Sequence, residues 1–149
     1  MPRVIAIDLG TKRTGLAVTD PLQMLANPLE TIETSTLLEY LNKYFQREEV
    51  EAIVLGYPRK LNGEETEMTP KVFAMKEKLE ATFPEKKIEL IDERFTSKMA
   101  MQSMIAMGSK KKDRKEKSGN LDKVSAAIIL QSYLDRKGYI QWLLTETRF

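Results

Sequence analysis

The chain contains no cysteine and no histidine. Without cysteine there is no disulfide framework and no thiolate nucleophile, and without either residue there is no Cys/His zinc site. Without imidazole the Ser-His-Asp arrangement of serine hydrolases is excluded. An enzyme built from this sequence must work at neutral pH with carboxylates, Lys, Arg, Tyr or Ser. A metal held by such residues has oxygen ligands, which favours Mg²⁺ or Mn²⁺. Long apolar runs are missing too, so no membrane span is expected. The charged N-terminal region lacks the apolar stretch of a signal peptide. The expectation is a cytoplasmic protein with no membrane partner. Nor does one sign of charge dominate: 24 Lys and Arg face 22 Asp and Glu, a net charge of +2. Overall charge therefore does not announce a nucleic-acid partner, and any such signal must come from local clustering.

With 149 residues, 42% of them apolar, the chain is the size of a single domain, residues 1–149, with a normal core. Arg3 to Asp8 reads as a buried strand, an apolar β-branched run ending in a carboxylate. Gly10 and Gly15 follow at once and bracket Lys12 and Arg13. A carboxylate at a strand end, beside glycines and two cations, is a place where phosphate and a divalent metal could meet. An ordinary hairpin, with its glycines serving the turn and Asp8 solvated, competes with that reading.

Gly15 to Asp20 reads as a second strand, joined to the first as an antiparallel hairpin, and Leu29 to Thr34 as a third. Thr36-x-x-Glu39 has the pattern of a capping box. It opens a helix with Leu37, Leu38, Leu41, Tyr44 and Phe45 on one face. Val50 to Leu55 is a fourth strand, leading into Gly56-Tyr57-Pro58 and an Asn62-Gly63 turn. Thr69-Pro70 supplies a cap and a first-turn proline for a second helix, with Val72, Met75, Leu79 and Phe83 on its buried side. Ile88 to Ile91 is a fifth strand, followed by Asp92-Glu93-Arg94. A methionine-rich helix follows, capped at Thr96 or Ser97 and stopped at Gly108; it serves as core or as a dimer surface. Leu121 to Leu134 has the pattern of a long final helix with Asp122 in its first turn. The order is a three-strand meander followed by αβαβαα. The helical crossover between strands four and five implies a parallel pair. The expected fold is α/β, a mixed five-stranded sheet combining an antiparallel meander with parallel strands and flanked by helices.

Asp8, Asp92 or Glu93, and Asp122 all fall at the ends of predicted elements. Sites in open α/β sheets lie outside the carboxyl ends of strands, and Ser125, Ala126 and Ala127 allow a helix to pack closely there. Two like charges about 4 Å apart cost roughly 4 kcal/mol at an effective dielectric of 20. Such a cluster therefore calls for protons or a divalent cation, and a pair of cations would make a phosphodiester-cleaving centre. Singly, Asp122 also suits a helix dipole, and Asp92-Glu93-Arg94 suits a surface salt-bridge patch. The run Ser109 to Asn120 carries Lys110, Lys111, Lys112, Arg114, Lys115 and Lys117 against Asp113 and Glu116. It reads as a solvated loop or, beside the carboxylates, as a grip on a phosphate backbone.

Four motifs occur in order: Asp8-x-Gly10-x-x-Arg13-x-Gly15; Gly56-x-Pro58 with Asn62-Gly63; Asp92-Glu93-Arg94-Phe95-Thr96; and Asp122-x-x-x-Ala126-Ala127-x-x-Leu130-Gln131-x-x-Leu134. Together they resemble the YqgF/RuvX family, Holliday-junction-resolvase-like proteins described as pre-16S rRNA nucleases, and the resemblance spans almost the whole chain. It implies a ribonuclease H-like fold. It also implies Asp8, Glu93 and Asp122 as catalytic, metal-binding residues, with Asp92 the rival of Glu93, since adjacent strand residues face opposite ways. Arg13 and Arg94 would contact phosphate; independently of the resemblance, Lys12 of the cationic turn and Lys110 to Lys112 of the basic run are further candidate substrate contacts. Gly56 would let backbone approach the substrate. Tyr57 departs from the family's usual small aliphatic residue; base stacking or packing beside Pro58 would explain it. The implied activity is Mg²⁺- or Mn²⁺-dependent cleavage of structured RNA, at the 5′ end of pre-16S rRNA and in company with ribosomal assembly components. A resolvase of branched DNA is the alternative, and a non-catalytic nucleic-acid-binding protein is the reading from another class. A symmetric resolvase would be a homodimer, whereas an RNA processor could act as a monomer.

Overall fold

The computed structural model describes residues 2–57, 65–92 and 118–146, with side chains of the last segment described for 123–137. Five strands form one sheet: β1 (Arg3–Asp8), β2 (Arg13–Thr19), β3 (Ala26–Glu33), β4 (Val50–Tyr57) and β5 (Lys87–Asp92). Their order is β3-β2-β1-β4-β5. The β1–β2 and β2–β3 pairs are antiparallel, and the β1–β4 and β4–β5 pairs are parallel. The expected meander plus parallel strands is therefore present. β4 separates β1 from β5.

Among the described residues the α-helices are α1 (Leu37–Arg47), α2 (Thr69–Thr82) and α3 (Ser118–Glu146). Strand β1 lies at the centre and is covered on both faces, which explains its unbroken apolar run Val4 to Ile7. One face carries Ile5, Ile7, Leu16, Ile53 and Leu55, packed with Leu37 and Leu41 of α1 and with Val72 and Leu79 of α2. The other carries Val4, Ala6, Ala17, Ala52 and Val54, packed with Ala126, Ile129, Leu130 and Tyr133 of α3. Alanines meeting across this second layer let α3 approach the sheet closely, as the small residues of its sequence predict.

Three local readings are corrected. Thr36 does not form a capping box: a 3₁₀ turn, Thr34–Thr36, precedes α1, and the Thr36 hydroxyl donates back to the Glu33 carbonyl at 2.7 Å. Thr69 is the first residue of α2 rather than its cap. Its hydroxyl accepts from the Thr66 backbone N–H at 2.9 Å, which ties the preceding turn to the helix. Helix α3 begins at Ser118, three residues before the expected start, so Asp122 stands beyond its first turn. The Asn62-Gly63 turn and the methionine-rich helix lie outside the described residues. No described helix is long and apolar enough to cross a membrane.

Candidate active site

Asp8 ends the central strand, half-buried, on the face that α3 covers. Its partner across the antiparallel β1–β2 pair is Gly15. On the other side the parallel register brings Leu55 opposite Ile7, so the next step along brings Gly56 beside Asp8. The carboxylate thus stands between two positions that carry no side chain. Paired residues in a sheet project on the same face at a Cβ separation of about 5 Å. Any larger residue at 15 or 56 would therefore fill the space flanking Asp8.

The next turn is braced. Thr34 donates its backbone N–H to the Lys12 carbonyl at 2.9 Å and its hydroxyl to the Gly10 carbonyl at 2.7 Å. The Thr14 hydroxyl lies 2.8 Å from that of Thr34. The single Thr34 proton is already committed to Gly10, so Thr14 is the donor of this pair. Gly10 itself is required, because a Cβ there would run into the Arg13 carbonyl oxygen. Lys12 and Arg13 sit exposed at the tip and line an open hollow with Thr11, Glu33 and Ser35. Nothing in the sequence singled out Thr34. Its role depends on the β2–β3 register, which puts Thr14 opposite Ile32 and so brings the end of β3 to the β1–β2 turn.

The direction of α3 follows from its far half. Gln131 accepts the Ala26 N–H at 3.2 Å, and Tyr133 faces Ala52 and Lys87, all at the start of their strands. The helix therefore runs from the carboxyl rim of β1 toward its amino end. Position 122 lies 11 residues before Tyr133, about 16 Å at 1.5 Å per residue. That span is comparable with the length of β1, which has six residues.

Asp92 is exposed and pairs in register with Tyr57, on the face of Ile88 and Leu90 that α2 covers. It is therefore on the opposite face from Asp8. The α3-facing positions of β5 are Glu89, which accepts a hydrogen bond from Tyr133, and Ile91. Tyr57 packs edge-on against Phe73 of α2, with ring centroids 5.2 Å apart. Among the described residues no three carboxylates gather into a cation-sized group. Glu93, Arg94 and Lys110 to Lys112 lie outside the described residues.

A mixed sheet in this order, with a carboxylate ending its central strand and a helix crossing that face, is the ribonuclease H-like arrangement. The chain superposes on the structure of Thermus thermophilus RuvC in complex with a Holliday junction substrate, with a TM-score of 0.54 and 20% identity over 93% of this chain and 97% of that one. The family model described as "RuvX: Holliday junction resolvase" matches residues 2–136. A relative in Flavobacterium psychrophilum named "Putative pre-16S rRNA nuclease" is 47% identical, covering 92% of this chain and 99% of its own length. One of the same name in Porphyromonas gingivalis is 50% identical, covering 91% and 97%. The chain belongs to the RuvX family.

Proposed function

We propose that this protein is a divalent-metal-dependent nuclease of the cytoplasm that hydrolyses phosphodiester bonds in structured RNA, in 5′-end processing of pre-16S rRNA. The observation that carries the reading is the Asp8 carboxylate between Gly15 and Gly56, with the braced Lys12–Arg13 turn beside it. The names of relatives that match this chain nearly end to end point to the RNA substrate.

The donor set fits a hard cation. Asp8, Glu93 and Asp122 offer only carboxylate oxygens, and the glycine-flanked slot leaves room beside Asp8. Asp92 lies on the α2 side of the sheet, away from Asp8, so Glu93, the residue the family resemblance points to, is preferred to it as the second ligand. When bound, Mg²⁺ or Mn²⁺ lowers the pKa of a water and stabilises charge on the leaving oxygen. The protein's own part is positioning. Asp8, Glu93 and Asp122 would hold the cation, Arg13 and Arg94 would hold the scissile strand by its phosphates, and Lys12 with Lys110 to Lys112 would hold its flanks. Gly56 lets the phosphate come close to backbone.

The second reading is a resolvase of branched DNA, favoured by the description of the matching family model. A paired cleavage assay separates the two: an RNA precursor against a four-way DNA junction, with wild type and Asp8→Asn. Metal-dependent cleavage of the RNA alone, lost in Asp8→Asn, supports the proposal; cleavage of the junction alone transfers it to the resolvase. Binding of both without cleavage of either leaves a binding protein. In parallel, Mg²⁺ or Mn²⁺ should raise the Tm of wild type but not of Asp8→Asn. An equal rise in both would remove Asp8 from the metal site.

A further inference from the structure

On the face of the sheet away from α3, a groove of about 320 Å³ runs between the Gly10–Thr11 turn and helix α2. Its floor is apolar, made by Leu9, Met68 and Met75, and its outer wall carries Lys71 and Lys78. These lysines are exposed, and among the described residues neither side chain enters an ion pair or a hydrogen bond. The adjacent Lys76, by contrast, is paired with Glu80 at 3.2 Å. Thr11 lines both this groove and the hollow of Lys12 and Arg13, so the two are continuous over the rim of the sheet.

We propose that this groove seats an unpaired nucleic-acid strand flanking the scissile phosphate, with Lys71 and Lys78 on its backbone and the apolar floor under a base. The inference rests on the nuclease reading of the neighbouring carboxylate site. Seven residues separate the lysines, about 10 Å along α2. That spacing suits a strand laid along the helix better than a single bound anion. Proteins hold single strands without reading sequence by a cationic groove along the backbone and aromatic platforms under the bases; here the cationic wall is present, and Leu9, Met68 and Met75 offer a flexible apolar floor in place of aromatic rings. Glu65 and Glu67 at the foot of α2 repel phosphate and bound the path on that side, so the strand leaves along Lys71 and Lys78. The groove opens on the face opposite Asp8, so only a strand that bends over the rim reaches it, which a continuous duplex does not do.

The test uses the Asp8→Asn protein, which would bind without cutting. Its affinity is measured for an RNA hairpin with a single-stranded flank and for the same hairpin made blunt. The proposal expects tighter binding of the flanked hairpin, and a ratio of the two affinities that falls toward one when Lys71→Gln and Lys78→Gln are added. The salt slope of the flanked complex should fall by about 1.4, at 0.7 per single-strand phosphate contact. An unchanged melting temperature in the lysine variant shows that the loss is not unfolding. Equal affinity for the two hairpins, or a ratio unmoved by the lysine changes, overturns the groove alone. Failure to bind either hairpin overturns the nucleic-acid reading of the whole rim.

Discussion

Asp8 stands opposite Gly15 across the antiparallel β1–β2 pair, and Gly56 flanks it from the parallel side. Glycine inside a strand normally costs stability, about 0.5–1 kcal/mol relative to alanine. Two of them on either side of one carboxylate, in the best-covered part of the sheet, are explained by the space they leave. Gly15→Ala and Gly56→Ala should therefore each hold or raise the melting temperature while cutting the cleavage rate on the order of 100-fold, the usual effect of displacing a reacting group by about 1 Å. Thermal melts and single-turnover cleavage on the same preparations check this. Full activity in both alanine variants would show that the slot has no role.

Thr34 ties the cationic turn to the end of β3. Thr34→Val keeps the shape of the side chain but loses the bond to Gly10 and strands the buried Thr14 hydroxyl. Leaving a buried hydroxyl unsatisfied costs about 1–3 kcal/mol. The variant should unfold at lower denaturant by that amount and bind RNA more weakly, since Lys12 and Arg13 lose their brace. Thr14→Val in the same background should restore part of the stability, because both polar partners are then gone. A denaturant titration of the four proteins in the cycle gives the coupling, and additive losses would remove the hydrogen bond from the account.

The strands were legible because their apolar runs are bounded by Gly, Pro and charged residues, and the burial of β1 on both faces is written in Val4 to Ile7. Helix starts were less legible. Thr36-x-x-Glu39 fits a capping box, but the preceding 3₁₀ turn draws the Thr36 hydroxyl back to Glu33, a choice made by the entry of β3 rather than by local spacing. Asp8 and its glycines stood out as residues, yet the glycines' function needs the strand register, which no local pattern contains. Asp92 and Glu93 could be told apart only in principle. The observed pairing with Tyr57 puts Asp92 on the α2 side, away from Asp8. Nothing in the sequence singles out Lys71 and Lys78, because only the fold brings the β1–β2 turn alongside them.

The alkaline limit of stability should be set in part by Tyr133. Burial, with the hydrogen bond to Glu89, pushes its hydroxyl up to about 12. A group raised in the folded state favours folding fully below its unfolded value, near 10, and that contribution is lost as pH rises through about 12. Glu89 works in the opposite sense. Burial raises its pKa, but hydrogen bonds from Lys87 and Tyr133 outweigh this and leave it lowered. Its contribution is complete above the usual glutamate range and lost as pH falls through its folded value. Tyr40, also pushed up to about 12 by burial and Glu30, shares the alkaline loss. Tyr133→Phe should therefore flatten, without abolishing, the fall in denaturation midpoint above pH 10. It should also move the acid limb upward, since Glu89 loses a donor. Unfolding midpoints followed across both limbs would show the two effects together, and an acid limb that stays in place would break the link between Tyr133 and Glu89.

Ala126 is fully buried where α3 meets Ala6 and Ala17, one helical turn after position 122. Ala126→Leu would insert a side chain into a layer built from alanines, and overpacking of this kind costs about 1–3 kcal/mol. The helix can relieve it only by moving off the sheet, which would displace position 122, one turn earlier, from the site proposed for it. Cleavage should then fall far more than stability, and the concentration of Mg²⁺ or Mn²⁺ needed for half-maximal rate should rise. Ala127, half-buried beside it, offers the contrast. Ala127→Leu should cost less stability and leave the metal requirement close to wild type. Metal titrations of both variants, read beside their melting curves, distinguish displacement of α3 from general loosening: equal metal requirements in the two would mean that the spacing of α3 from the sheet does not position Asp122.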